Sequence, residues 1–267
     1  MSSESDDGAE LAFTGERLHA GSELFGVDLA RHRSAYRYAA ERSQGLQVLD
    51  LGCGSGYGAA ELSNHANLLV GVDRVRPDSA SRASRAAFLR ADIGGLPLQP
   101  TSFDVIVSFQ VIEHLEDPSF YLEAIARMLR PTGTALITTP NLLTSDKVNP
   151  FHVHEYESDE LANLLTPHFS DVSMQGVGMT DPVRAYNDAR LARIARIMRF
   201  DIFGMHRWMP RPVIDWAFGQ LARVVRRSIQ PHDGPPDVSL DDFPIGVPQS
   251  DDIDLLAVCR APRVATN

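Results

Sequence analysis

The chain is poor in the residue types that would commit it to several function classes. It has two cysteines, Cys53 and Cys259, in 267 residues. That is too few for a thiolate metal cluster or a disulfide framework, so a reducing cytoplasm is the default compartment. No apolar run approaches the ~18 residues needed to cross a bilayer. The opening MSSESDDGAE is acidic and polar, unlike a secretory leader. Basic residues are outnumbered, 25 against 35 acids, for a formal net charge of −10. A general nucleic-acid binder is thereby disfavoured, because neutralising phosphates takes a basic surface. Lysine is almost missing, with Lys147 the only one. What remains is ordinary: 43% hydrophobic residues, enough for a core in one α/β domain with additions.

The most informative stretch is LQVLDLGCGSGYG, residues 46–58. Leu46, Val48, Leu49 and Leu51 read as a buried strand. It breaks on Gly52, Gly54, Gly56 and Gly58, and Ala59–Ser63 opens a helix. Such a corner lets the backbone approach a ligand and points free N–H groups at it. The spacing GxGxxG/A can be laid over Gly54, Gly56 and Ala59, so a dinucleotide is one candidate. Asp50 argues against it. A carboxylate beside the turn repels a pyrophosphate and favours an ammonium or sulfonium group. Asp73 and Asp92 close the next two apolar runs. The first suits ribose hydroxyls of either ligand, the second an exocyclic amine.

Apolar runs at 46–51, 67–73, 87–92, 103–110 and 134–141 alternate with helical or loop segments. Helices are predicted over Ala30–Arg42 and through DPSFYLEAIARMLRPTG, the latter closed by Pro131 and Gly133; residues 76–86 are a helix or loop. This rhythm predicts a doubly wound, mostly parallel α/β sheet. Beyond Asn141 come a loop, a helix at Ser158–Phe169 with Ser158 as N-cap, a sixth strand in SDVSMQGV and a final strand, IDLLAVCRA. The expected organisation is a disordered N-terminus with a lid and helix (1–45), a ligand-binding core (46–180), a basic helical insert (181–230), and an acidic loop with the last strand (231–267). Residues 183–230 hold ten arginines against three acids, and residues 231–254 hold seven aspartates and no lysine or arginine. Two readings stand: a solvated helix face pairing with the acidic loop, or a surface for an anionic or membrane-bound partner, helped by Phe203, Trp208 and Met209.

Taken together, VLDLGCGSGYG, GVD, ADIGGLPL and FDVIVSFQVIEHLEDP resemble the motifs of class I S-adenosylmethionine-dependent methyltransferases. The likeness covers residues 13–180 and returns at the final strand. It implies a seven-stranded Rossmann-like sheet with an antiparallel last strand, and S-adenosyl-L-methionine as cofactor. It places Asp50, Gly52 and Gly54 at the methionine end, with Cys53 and Gly56 beside them. Asp73 falls at the ribose next to Arg74, Asp92 and Ile93 at the adenine, and Phe109 and Gln110 on the sulfonium side. FTGER, TPN, NPFHxxE and DIDLLAV are similar to segments of actinobacterial glycan O-methyltransferases of the methylglucose-polysaccharide and mycofactocin-oligosaccharide type. That likeness implies a sugar or oligosaccharide acceptor. A quinone, lipid or small natural product stays open as the acceptor, as does a non-catalytic membrane- or partner-docking module.

Methyl transfer to oxygen needs a positioned nucleophile that loses its proton as it attacks. His114 follows the fourth strand, and His152 and His154 follow the fifth, at the edge where open α/β sheets bind ligands. His152 is the first choice as base and His114 the second. Glu113 either acts beside them or caps a helix start. Some similar quinone O-methyltransferases carry an ExxEH metal site; here Gln110 stands at its first position. An amide is a poor ligand for a hard cation, so no metal is expected. Thr14, Glu16 and Arg17 form a candidate lid, and Tyr57 faces either the methionine portion or the core.

Overall fold

The computed structural model describes residues 26–75, 77, 86–147, 149–198 and 237–263. Thr14, Glu16 and Arg17 of the expected lid lie outside them, as do Phe203, Trp208 and Met209 and nearly all of the segment 76–86.

Eight strands form one sheet: β1 (Gln47–Leu51), β2 (Leu68–Asp73), β3 (Ala86–Arg90), β4 (Phe103–Phe109), β5 (Leu129–Pro140), β6 (Phe169–Val177), β7 (Ile245–Gly246) and β8 (Asp254–Pro262). Their order is β3-β2-β1-β4-β5-β8-β6-β7. The first five are mutually parallel, and β8 runs antiparallel between β5 and β6. The sheet has one strand more than expected. The addition, β7, is a two-residue edge strand that pairs Gly176 and Val177 of β6.

The helices are α1 (Gly26–Glu41), α2 (Ala59–Ser63), α3 (Ser119–Met128), α4 (Ser158–Leu165) and α5 (Asp181–Met198). α3 stops at Met128, short of the predicted Gly133, because Leu129 already pairs with Phe103 in the sheet. Helix α4 is capped by Glu157 rather than Ser158, with Glu160 closing a capping box. Two arginines of α5 pair within the chain, Arg184 with Asp251 at 2.8 Å and Arg190 with Asp146 at 3.9 Å. No helix among the described residues is long and apolar enough to cross a membrane.

Alternation along β1 divides the core between the two faces. Leu49 and Leu51 pack in one cluster with Tyr121, Leu122 and Ile125 of α3. Val48 packs in the other with Tyr36, Ala39 and Ala40 of α1. Each such large aliphatic, fully buried, contributes roughly 1.5–3 kcal/mol. β1 sits between β2 and β4, so the chain winds outward from it in both directions. Ligands of open α/β sheets bind outside the carboxyl ends of the strands at that reversal.

Candidate active site

The glycine turn follows β1 directly. Gly52, Gly54 and Gly56 have φ of 87°, 55° and 84°, a region that L side chains avoid. A Cβ on Gly52 would overlap Cγ2 of Val111, and one on Gly58 would overlap the Tyr36 ring. The turn is tied to β2, because Gly52 and Cys53 both donate backbone N–H groups to the Val72 carbonyl. The Cys53 sulfur is buried against Gly71, and burial pushes the thiol up. The Cys53 carbonyl accepts the Gly56 N–H at 2.9 Å, so both of its backbone groups hold the turn.

Asp50 lies almost wholly buried on the α1 side, where the Tyr36 hydroxyl donates to its carboxylate, 3.2 Å from each oxygen. Burial pushes Asp50 up to about 7, against the pull of the Tyr36 hydrogen bond. Tyr36 meets Phe109 and Tyr57 edge-on, with ring centroids 4.8 and 5.6 Å away. Asp73 accepts from Gly54 N–H at 2.8 Å and Val75 N–H at 2.9 Å, which binds the end of β2 to the glycine turn. Asp92 accepts from Gly94 N–H at 2.9 Å, next to Ile93. Arg74 is mostly exposed, 4.0 Å from Asp92. Gln110 ends β4 with φ of 57° and reaches Thr138 Oγ1 with its amide. This line of acids beside a turn closed to side chains fits an S-adenosylmethionine, which Asp50, Asp73 and Asp92 would hold.

The second half of the site lies past β4 and β5. The Glu113 carbonyl accepts N–H groups of Val153 and His154, at 2.7 and 3.2 Å. These two bonds fasten the 149–155 loop to the turn after β4. They bring Glu113, His114 and His152 together, with ligand atoms all within 4.8 Å of one another. The two imidazoles meet edge-on at 5.1 Å. His152 Nδ1 is 2.6 Å from Glu155 Oε1. A carboxylate only accepts, so Nδ1 carries the proton and the lone pair is on Nε2, where the Asn149 amide donates at 2.8 Å. Partial burial is the largest single influence and works to raise Glu155, yet the hydrogen bonds from His152 and Ser145 and the charges of His152 and Lys147 together hold the carboxyl below its ordinary range. His114 Nδ1 faces the Phe151 carbonyl at 3.0 Å, and burial lowers its titration. Glu113 is fully buried, accepts from Thr139 with one oxygen, and has no partner for Oε1 among the described residues. Burial pushes it up to about 8. His154 turns away to pair with Glu160 at 2.7 Å.

The expected catalytic residues thus converge, and so do the expected donor residues. The Phe109 ring is buried against Tyr36. Tyr57, read as facing either the methionine portion or the core, packs beside Tyr36 and is engaged by His32 Nδ1 at 2.9 Å. Tyr36 and Arg31 carried no functional reading in the sequence, while Glu155 and Asp254 stood inside the NPFHxxE and DIDLLAV segments without a role of their own.

A family model described as "Methyltransferase domain" matches residues 49–137. A Mycolicibacterium smegmatis protein named "Probable S-adenosylmethionine-dependent methyltransferase" is 36% identical over 195 residues, covering 69% of this chain and 72% of that protein. A Mycobacterium tuberculosis protein with the same description is 38% identical over 178 residues, 63% of this chain. The match spans 65% of that relative's length. Among solved structures, a SAM-dependent methyltransferase of Thermotoga maritima shares the fold with a TM-score of 0.55 at 13% identity, covering 90% of this chain and 93% of that one. The glycine turn, the acids at three strand ends and these relatives agree: the chain belongs to the class I S-adenosylmethionine-dependent methyltransferases.

Proposed function

We propose that the protein transfers a methyl group from S-adenosylmethionine to a hydroxyl oxygen of a sugar or oligosaccharide. The observation that carries this reading is the Glu155–His152 pair, held at the acceptor edge by the Glu113 carbonyl. When bound, S-adenosylmethionine supplies an electrophilic methyl group on a sulfonium. A sugar hydroxyl is a weak acid and needs a base as it attacks. Glu155 holds the His152 ring with Nδ1 protonated, so Nε2 takes the acceptor's proton and the carboxylate stabilises the imidazolium that forms. The acceptor hydroxyl replaces the Asn149 amide at that nitrogen. His114, fixed by the Phe151 carbonyl, buttresses the His152 ring. Glu113 anchors the loop through its backbone and keeps a buried carboxyl beside both imidazoles.

No metal is required in this scheme. The donor set of Glu113, His114 and His152 is compact enough for one cation, but a cation on His152 Nε2 would take the lone pair that the base needs for the acceptor's proton.

Calorimetry with S-adenosylmethionine and S-adenosylhomocysteine tests the donor half. Binding of neither, or tight binding of NAD(P), overturns it. Mass spectrometry of maltooligosaccharides incubated with enzyme and donor tests the acceptor half. Methylation of a hydroxylated quinone with no transfer to any glycan would assign the runner-up acceptor. Liposome binding through residues 183–230 without any transfer would assign a docking module instead.

A further inference from the structure

The scheme above leaves a second polar pair at the same edge unused. Arg31, in α1, reaches Asp254, the first residue of β8, with Nε 3.4 Å from Oδ2. A charge-assisted hydrogen bond closes to about 2.7–2.9 Å, so the two are neighbours without being bonded. Arg31 Nε and Asp254 Oδ1 are both buried, and neither has a hydrogen-bond partner among the described residues. Buried polar atoms are nearly always satisfied, and an exception calls for an explanation, a partner from outside the chain among them.

Position narrows what that is. Asp254 stands opposite Pro140 at the carboxyl end of β5; the Gln110 side chain hydrogen-bonds its carboxylate and His152 lies within its electrostatic reach, while Oδ1 stays without a partner. The pair therefore borders the proposed base. Charge narrows it further. Arg31 is already faced by Asp254 and Asp28, so an anionic ligand, the donor's own carboxylate included, meets more negative than positive charge there. What remains unfilled is one donor beside one acceptor. A hydroxyl can serve either, and a vicinal diol serves both at once.

We infer that Arg31 and Asp254 anchor the acceptor, taking two neighbouring hydroxyls of a neutral sugar next to the one that is methylated. Asp254 Oδ1 accepts from one hydroxyl and Arg31 Nε donates to the other. The anchor rests on the hydroxyl-acceptor reading and adds to it a reason for preferring neutral polyols over sugar phosphates.

The test compares wild type, Asp254→Asn, and the double variant Arg31→Met/Asp254→Asn, which leaves no unpaired buried charge. Saturation-transfer NMR follows maltotetraose on the complex with S-adenosylhomocysteine, and calorimetry follows S-adenosylhomocysteine itself. The expected result is maltotetraose contact in the wild type and at least a ~10-fold weaker affinity in both variants, ~1.4 kcal/mol. S-adenosylhomocysteine affinity should stay within about twofold of wild type. Equal maltotetraose affinity in all three proteins overturns the anchor. Loss of S-adenosylhomocysteine binding with maltotetraose contact intact overturns it too, and assigns the pair to the donor. A wild type that binds S-adenosylhomocysteine but ignores maltotetraose and methylates catechol refutes the sugar reading alone. In that case an unchanged KM for catechol in the variants refutes the anchor as well, and a raised one retains it as a diol site.

Discussion

On the β1–β2–β3 side of the sheet edge, the polar groups come from one continuous piece of chain: Asp50, the glycines and Asp73 belong to a single β–α–β unit. On the β4–β5–β8 side, Arg31, Glu113, His152 and Asp254 come from four separated places and meet because strand order brings them there. The first side works mainly through backbone N–H groups and φ values. The second works through side chains whose tautomers and charges are set by neighbours. A donor common to a whole family can be met by backbone geometry; an acceptor that differs among relatives calls for side chains that can change independently.

The largest effect should follow from filling the backbone side. Gly52→Val adds a Cβ that overlaps Val111, at a φ that costs an L residue about 1–2 kcal/mol. Calorimetry should find no S-adenosylhomocysteine binding; wild-type affinity would show that the turn is not the donor's cradle. His152→Ala should lower turnover ~100-fold while leaving S-adenosylhomocysteine affinity unchanged, which separates the two sides most cleanly. Unaltered turnover removes His152 from the mechanism. Glu155→Gln should act through His152 and cost less, about tenfold. Losing the neighbouring carboxylate lowers the His152 pKa, so the acid limb of the rate profile should move to lower pH. A profile that keeps its position would leave Glu155 a packing role.

A smaller effect concerns stability. The folded-state pKa of Glu113 is raised to about 8 from 4.5, so between those values the folded protein holds a proton that the unfolded chain releases. Its contribution is present at low pH and is lost as pH rises through that window. Urea unfolding midpoints from pH 5 to about pH 8 should therefore fall less steeply in Glu113→Gln than in wild type. Equal slopes would mean that solvent reaches this carboxyl. The smallest effect should come from EDTA, which ought to leave turnover where it was. An enzyme silenced by EDTA and revived by Mn²⁺ would turn the Glu113–His114–His152 cluster into a cation site.

The same contrast explains what could be read from the sequence. Asp50, the glycines, Asp73 and Asp92 were legible because each closes a strand within a local pattern. His114 and His152 were legible as residues after strand ends, though their meeting depends on two hydrogen bonds to the Glu113 carbonyl that no spacing announces. The pairing of Arg31 with Asp254 left no trace, although Asp254 stands in DIDLLAV, since a helix residue and a distant strand residue become partners only when β8 inserts beside β5. The helix predicted to reach Gly133 failed for a related reason. Pairing of Leu129 with Phe103 is a long-range choice that outweighs local helix propensity.

Helix α1 carries Tyr36, which touches Asp50, and Arg31, which touches Asp254. They stand five positions apart on the helix, a rise of about 7.5 Å. That makes α1 a ruler laid across the two compartments, its graduations set by peptide geometry rather than by any loop. Deleting a single residue between Arg31 and Tyr36 would shorten the interval by about 1.5 Å and swing one side chain by about 100° relative to the other. Both ends would keep their amino acids, yet they could no longer reach their marks together. On the proposed reading, the distance from donor to acceptor is written in the register of one helix.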